Sequence, residues 1–288
     1  MNRSEMFAPL RLPQFRWLYT SNLAFFLALG GQGVVRAWLA FQLTESEFAL
    51  GMIMFTVAVP MFFFAPFGGV LADRMDRRKL IMAAQVLVIA SELFVLALIL
   101  MDKLAFWHLL VTSAALGFVF PVIMPARTAI VVNIVGKHGL GSAIGLNMAG
   151  INTTRIVGPA LAGFLIDAIG VGNAYMVGVI LYVAAFSCML RVTPSPPESM
   201  DRLTPVWRSV TDGFRYIHQN HLILILLLFG LVPMFLAMPF QNLLVVFADK
   251  IWQVGSRGLG ILSASAGLGG VAGSIWVASL GYASKRMS

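Results

Sequence analysis

The chain has 288 residues, of which 59% are hydrophobic and only 11% charged, with a formal net charge of +8. Its mean hydropathy of +0.87 implies more apolar surface than a water-soluble domain of this length can bury. The basic residues gather in short segments between long apolar ones, so the surplus charge reads as membrane topology and excludes nucleic acid as a partner.

The N-terminal stretch carries Arg3, Arg11 and Arg16 ahead of the first apolar segment, as expected for an N-terminus left in the cytoplasm. That segment is too long for the core of a cleavable signal. Eight apolar segments follow, roughly 17–42, 49–72, 79–101, 106–126, 141–168, 173–192, 221–247 and 258–281. Each is long enough to cross a bilayer, since about 20 helical residues span ~30 Å. With odd spans running outward, the outer segments hold Lys103, Lys250 and Arg257, and nearly all other Lys and Arg outside the spans face inward. That bias fixes the expected orientation. The fold class expected is all-α, a polytopic membrane protein whose essential surroundings are the lipid bilayer of the inner (cytoplasmic) membrane.

The second and third spans are joined by Gly68-Gly69-Val70-Leu71-Ala72-Asp73-Arg74-Met75-Asp76-Arg77-Arg78-Lys79-Leu80, a tight turn dense in ionic residues. Its order of Gly69, Asp73, Arg74, Arg77 and Arg78 resembles the cytoplasmic signature between helices 2 and 3 of the major facilitator superfamily. Asp76 departs from it, standing where the pattern has Gly. The resemblance implies a gate: Asp73 forms charge-assisted bonds with arginines that close the cytoplasmic side in one state and break in the other. The bland alternative is a basic loop that only fixes topology.

The fourth span ends in Pro121-(x3)-Pro125-Ala126-Arg127, with Arg127 placed at the inner boundary. Many proton-coupled relatives place an Arg four residues before a mid-span Gly. Aligned on Gly117, this chain has Ser113, so proton coupling through that residue finds no support. The fifth span holds Gly150-Ile151-Asn152-Thr153-Thr154-Arg155-Ile156-Val157-Gly158-Pro159-Ala160-Leu161-Ala162-Gly163. It resembles the family's fifth-helix signature, with Thr154 and Ala162 standing where that signature has Gly. The stripe of Gly150, Thr154, Gly158 and Ala162, with Pro159 and Gly163 beside it, lets helices pack closely and slide. Plain structural packing is the alternative. Asn147, Asn152 and Arg155 followed by Gly158-Pro159 also resemble the drug and siderophore exporter branch.

Charges inside spans are expensive, which makes each a candidate for substrate or coupling-ion contact. Arg155 lies near mid-depth of the fifth span. Arg36 lies in the outer half of the first span, on one face with Gln32, and Glu92 in the outer half of the third. The arginines either bind an anionic or polar substrate group or are neutralised by Glu92. Glu92 either exchanges a proton or closes a structural pair, and the resemblance, which implies a peripheral third helix, favours the pair.

Residues 193–220 are rich in Pro and Ser and read as a cytoplasmic linker carrying a short amphipathic helix over 206–217. This divides the chain into a six-helix bundle over 1–192, the linker, and a partial bundle over 221–288. In the seventh span Gly230, Pro233 and Pro239 are expected to break the helix, with Gln241 and Asn242 forming an outer gate. The eighth carries Gly269-x-x-x-Gly273, a stripe matching that of the fifth. The resemblance implies twelve spans, so six plus two looks like a product truncated after the eighth span, a fragment, or a chain completed by another polypeptide.

His108, His138, His218 and His221 are scattered without metal-ligand spacing, and the Gly-rich eighth span lacks the Lys-Ser/Thr of a phosphate-binding loop. No metal, cofactor or enzymatic activity is therefore expected. The single Cys188 leaves no intramolecular disulfide to form. The reading is a secondary transporter that moves a small-molecule substrate, drug-like or siderophore-like, outward by alternating access, with a proton as candidate coupling ion. The competing reading is a non-transporting membrane protein or scaffold subunit.

Overall fold

The computed structural model describes residues 7–196, 211, 215–217, 219–236 and 243–269. Every long element among them is helical. After a short 3-10 turn at Ala8–Arg11, α1 spans Pro13–Thr44, α2 Glu47–Arg74 and α3 Arg77–Leu100. A continuous helical path then covers Phe106–Ile169, broken at Gly136, where φ is 70° and ψ −178°. We name its two parts α4 (Phe106–Gly136) and α5 (137–169). Helix α6 spans Val171–Leu190, α7 His221–Leu236, and residues 255–269 form α8. Between α7 and α8 lies one π-helical turn, Phe247–Ile251.

The helix ends follow from local chemistry. Pro13 enters α1 in the first turn, where its missing N–H removes no bond. Asp76, the residue that departs from the family pattern, is the N-cap of α3: its carboxylate accepts the Lys79 backbone N–H at 3.1 Å. Gly there would offer the turn freedom, but no side-chain acceptor for the orphan amides. The expected loop over 127–140 is instead helix. The apolar run Ala129–Val132 and Ile134-Val135 carries α4 well past Arg127, and the reversal is made by one residue, Gly136, in a left-handed conformation that glycine adopts without steric cost.

Five helices among the described residues are long and apolar enough to cross a membrane: α1, α2, α3, α4 and α6. Helix α5 is not among them, because Asn147, Asn152, Thr153, Thr154 and Arg155 dilute its hydropathy. It crosses the bundle beside α1, which is buried along most of its length. Helix α2 by contrast turns Phe48, Phe55, Phe62 and Phe63 outward, as a helix facing lipid does. Helix α7 runs through Gly230 and Pro233 to Leu236, so the expected break does not occur at those two residues. Pro239, Gln241, Asn242, Gly273, the amphipathic stretch around Trp207 and the basic C-terminal end lie outside the described residues.

Two buried apolar clusters fill the bundle. One gathers Phe25, Ile81, Ile123, Ile151 and Tyr182 toward the end that bears the charged turn. The other gathers Phe41, Leu50, Leu109, Tyr175 and Leu259 toward the opposite end. The polar side chains described next sit in and between them.

Candidate functional site

At the charged turn the arginines are tied to the end of α6. Arg78 donates from Nη2 to the Leu190 carbonyl at 2.7 Å and from Nε to the Met189 carbonyl at 3.4 Å. A cation there satisfies the last carbonyls of the helix and faces the negative end of its dipole. Arg77, buried, donates from Nη1 to the Pro196 carbonyl at 3.2 Å, and its backbone N–H bonds the Ser195 carbonyl at 3.1 Å. Asn133 donates to the Ser195 hydroxyl at 2.7 Å, and the Thr193 N–H bonds the Gln14 side chain at 2.8 Å. Residues 193–196 thus strap the ends of α1, α3 and α4 together. Asp73 is exposed and makes no ion pair among the described residues. The close helix approach at this turn falls on Gly68, where a Cβ would run into the Pro121 carbonyl of α4; at Gly69 nothing described lies within 4 Å.

The fifth-helix segment lies in a seam between α1 and α8. A Cβ at Gly158 would come within 2.9 Å of the Leu27 carbonyl oxygen and 3.1 Å of the Gly31 amide. One at Gly163 would lie 2.6 Å from the Ser256 carbonyl oxygen and 2.7 Å from the Gly260 Cα. Backbone therefore meets backbone on both sides of α5, the arrangement that small-residue stripes permit in membranes. Helix α8 does pack on α5, but through Gly260 and Gly267 rather than Gly269. Thr154 is buried and bonds back to the Ile151 carbonyl at 2.8 Å, so its hydroxyl is satisfied within its own helix. Gly150 packs on Tyr19 and Leu23 of α1.

The charged and amide residues separate into two buried clusters and one exposed pair. In the first cluster Arg36 meets Glu92 at 2.5 Å, and the Tyr175 hydroxyl donates to the other Glu92 oxygen. All three are buried and join α1, α3 and α6. Glu92 is thus the structural counter-ion of Arg36, and Arg155 is not its partner. One turn along α1, the Gln32 amide donates to the Tyr175 carbonyl at 2.8 Å, while its own oxygen is buried without a partner. Gly178 makes room for this, since a Cβ there would run into the Gln32 amide.

The second cluster was not expected from the sequence. Arg127 is 3% exposed and donates from Nη1 to the Asn22 side-chain oxygen, while the Asn22 amide donates to the Asn147 oxygen at 2.7 Å. The guanidinium lies over the Phe25 ring at 4.6 Å and the Phe26 ring at 5.5 Å, a cation–π contact from α1. Among the described residues its Nε and Nη2 have no partner, and no carboxylate pairs with it. The signal that could have found it is the apolar run on both sides of Arg127, which keeps the residue inside a helix rather than at its end. Asn152 and Arg155, expected beside Asn147, lie on the exposed face of α5 and make no side-chain hydrogen bond among the described residues.

At the end of the bundle remote from the charged turn, Lys250 reaches back to the turn between α1 and α2. Its ammonium meets Glu47 at 3.0 Å and the Glu45 carbonyl at 3.3 Å, and lies 5.1 Å from the Phe41 ring centroid. Among the described residues no group of His, Cys, Asp and Glu has metal-binding geometry.

A family model described as transmembrane secretion effector matches residues 4–285. The chain is 26% identical, over 298 aligned positions, to the enterobactin exporter EntS of Shigella boydii, a match covering 99% of this chain and 69% of that protein. It is also 26% identical over 204 residues to YfiS of Bacillus subtilis, an uncharacterized MFS-type transporter, covering 68% of this chain and 47% of that one. Among solved structures, a mutant of the peptide transporter POT in complex with sulfate superposes with a TM-score of 0.50 over 82% of this chain and 50% of its own, at 17% identity. The chain thus spans about half the length of YfiS and of the peptide transporter. The helical bundle, its small-residue seam and a family match along nearly the whole sequence agree: the chain belongs to the transmembrane secretion effector family of the major facilitator superfamily, multi-pass membrane proteins.

Proposed function

We propose that the protein works as a secondary transporter that exports a small organic molecule by alternating access. The observation that carries this reading is the contact between residues 7–196 and residues 243–269 at the end remote from the charged turn. Lys250 with Glu47 and Phe41, and Gly260 with Gly163, all lie toward the end remote from the charged turn. A glycine seam that allows sliding, latched at one end by an exposed ion pair, suits a rocking motion. With the basic turn facing the cytoplasm, the latched end is external. The six-helix unit over 1–192, the linker over 193–220 and the helices from 221 onward then divide the work: the first unit rocks against the last. Asp73 and Arg74 latch the inner end in the opposite state.

Export is favoured over import by the match to an enterobactin exporter along the chain, and a catecholate-like or drug-like aromatic anion is the substrate class we adopt. Asn152 and Arg155, exposed on α5, stand ready to contact it. Glu92 is saturated by Arg36 and Tyr175 in this state, which speaks against it as the carrier of a coupling proton; Asp73 is the more accessible carboxylate.

The test is transport of a fluorescent catecholate by the full chain in liposomes. The wild type moves the probe against protein-free vesicles, and Asp73→Asn lowers the rate at least about tenfold, the loss of one charge-assisted contact worth ~1.4 kcal/mol or more. Equal rates for Asp73→Asn and wild type remove the gate, and no transport by the wild type removes the proposal.

A further inference from the structure

We propose that the edge of the Arg127 guanidinium formed by Nε and Nη2 is a binding subsite for a planar anion with two oxygens, a carboxylate or the paired oxygens of a catecholate. Among the described residues, the guanidinium is contacted by Asn22, Phe25 and Phe26. The Asn22 oxygen takes the Nη1 donor, and the Asn22 amide is spent on Asn147. Phe25 and Phe26 cover the face of the guanidinium. What remains free among the described residues is the side edge: Nε and Nη2 are both buried without a partner, and these two donors point the same way, as the fork that donates two parallel bonds to a carboxylate.

The contrast with the other arginines makes this edge unusual. Arg36 has Glu92, and Arg77 and Arg78 have backbone carbonyls. A buried cation in a membrane-spanning helix without a counter-ion is strongly disfavoured, and a visiting anion removes that penalty. On the Arg127 face of α4, Ile123, Ile130 and Val131 are buried and Met124 is exposed, so an anion reaches the guanidinium edge when α4 and α5 move apart.

The proposal rests on the export reading only for the identity of the anion as cargo; a free small carboxylate offers the same chemistry. Benzoate, benzamide and acetate are titrated against the full chain in lipid nanodiscs. Benzoate binds saturably and raises the melting temperature, and the uncharged benzamide does neither. Arg127→Lys, which keeps the charge but loses the fork, weakens benzoate at least about tenfold. Asn22→Asp supplies an internal carboxylate to Arg127, so it melts at or above wild type without anion and no longer binds benzoate. Acetate competing on equal terms identifies a general carboxylate site, and preference for benzoate identifies an organic anion; both uphold the subsite. Benzoate binding no tighter than benzamide to the wild type overturns it, whether or not the variants fold. Wild-type affinity in both variants also overturns it. Export without benzoate binding sinks the subsite alone, and benzoate binding without export sinks the transport reading alone.

Discussion

Arg36 of α1 and Arg127 of α4 are both buried arginines, yet they are held in opposite ways. Arg36 faces a carboxylate and a phenol, so its charge is cancelled inside the bundle. Arg127 faces one amide oxygen and two aromatic rings, which soften the charge without cancelling it. The first is an architectural pair joining α1, α3 and α6. The second is a charge kept available. Burial alone therefore does not distinguish a structural arginine from a functional one; the presence of a matched anion does.

The largest effect that sharpens this contrast comes from breaking the compensated pair. Glu92→Gln leaves the Arg36 charge buried and unpaired, and an orphaned partner of a buried pair costs about 3–5 kcal/mol. Denaturant titration in detergent should show a loss of that size. A loss below about 1 kcal/mol would mean that Arg36 needs no counter-ion, and the distinction between the two arginines would fall.

Removing Arg127 should cost far less. Arg127→Met deletes a charge with no carboxylate partner and keeps an apolar stem against Phe25. It forfeits two cation–π contacts and one amide bond, each worth about 1 kcal/mol, and it removes the desolvation of an unpaired cation. The two effects oppose, so the variant should unfold within about 1 kcal/mol of wild type in the same titration. A loss as large as that of Glu92→Gln would show Arg127 to be structural.

Some of this contrast was legible in the sequence and some was not. Charges in apolar spans must find partners, which offers Glu92 to either Arg36 or Arg155 before any coordinates are seen; the fold brings it to Arg36. The small-residue stripe of α5 likewise announces a close helix contact, realised at Gly158 and Gly163. Arg127 was hidden because Pro121 and Pro125 read as the end of a span. The helix instead continues through both prolines to Gly136, since neighbouring helices can support a proline-interrupted turn within a membrane. Arg155 went the other way: its position in the span implied a partner, but the rotation of α5 that buries Asn147, Thr154 and Gly158 turns Arg155 outward. Which face of a polar helix is buried depends on its neighbours, and α5 carries small or polar residues on several faces. The strap over 193–196 was equally illegible, because a Pro-Ser segment carries no periodicity to show where it docks.

A third cation completes the comparison with the smallest expected effect on stability. Lys250 and Glu47 form an ion pair at 3.0 Å in which both side chains are about half exposed, and water and salt screen such pairs. Glu47→Gln should therefore leave the melting temperature unchanged within error. Transport is where it should register. If the pair latches the end remote from the charged turn in one state of the cycle only, its loss shifts the balance between states without touching the packing of either. The catecholate transport rate of Glu47→Gln should then differ from wild type at low ionic strength, and the difference should shrink as salt is raised. A pair with no role in the cycle gives equal rates at every salt concentration, and a pair that merely stabilises the fold shows itself in the melting curve first. An exposed pair too weak to hold the bundle together can still bias a balance between two nearly equal states, and that combination of unchanged melting with altered transport separates a latch from a brace.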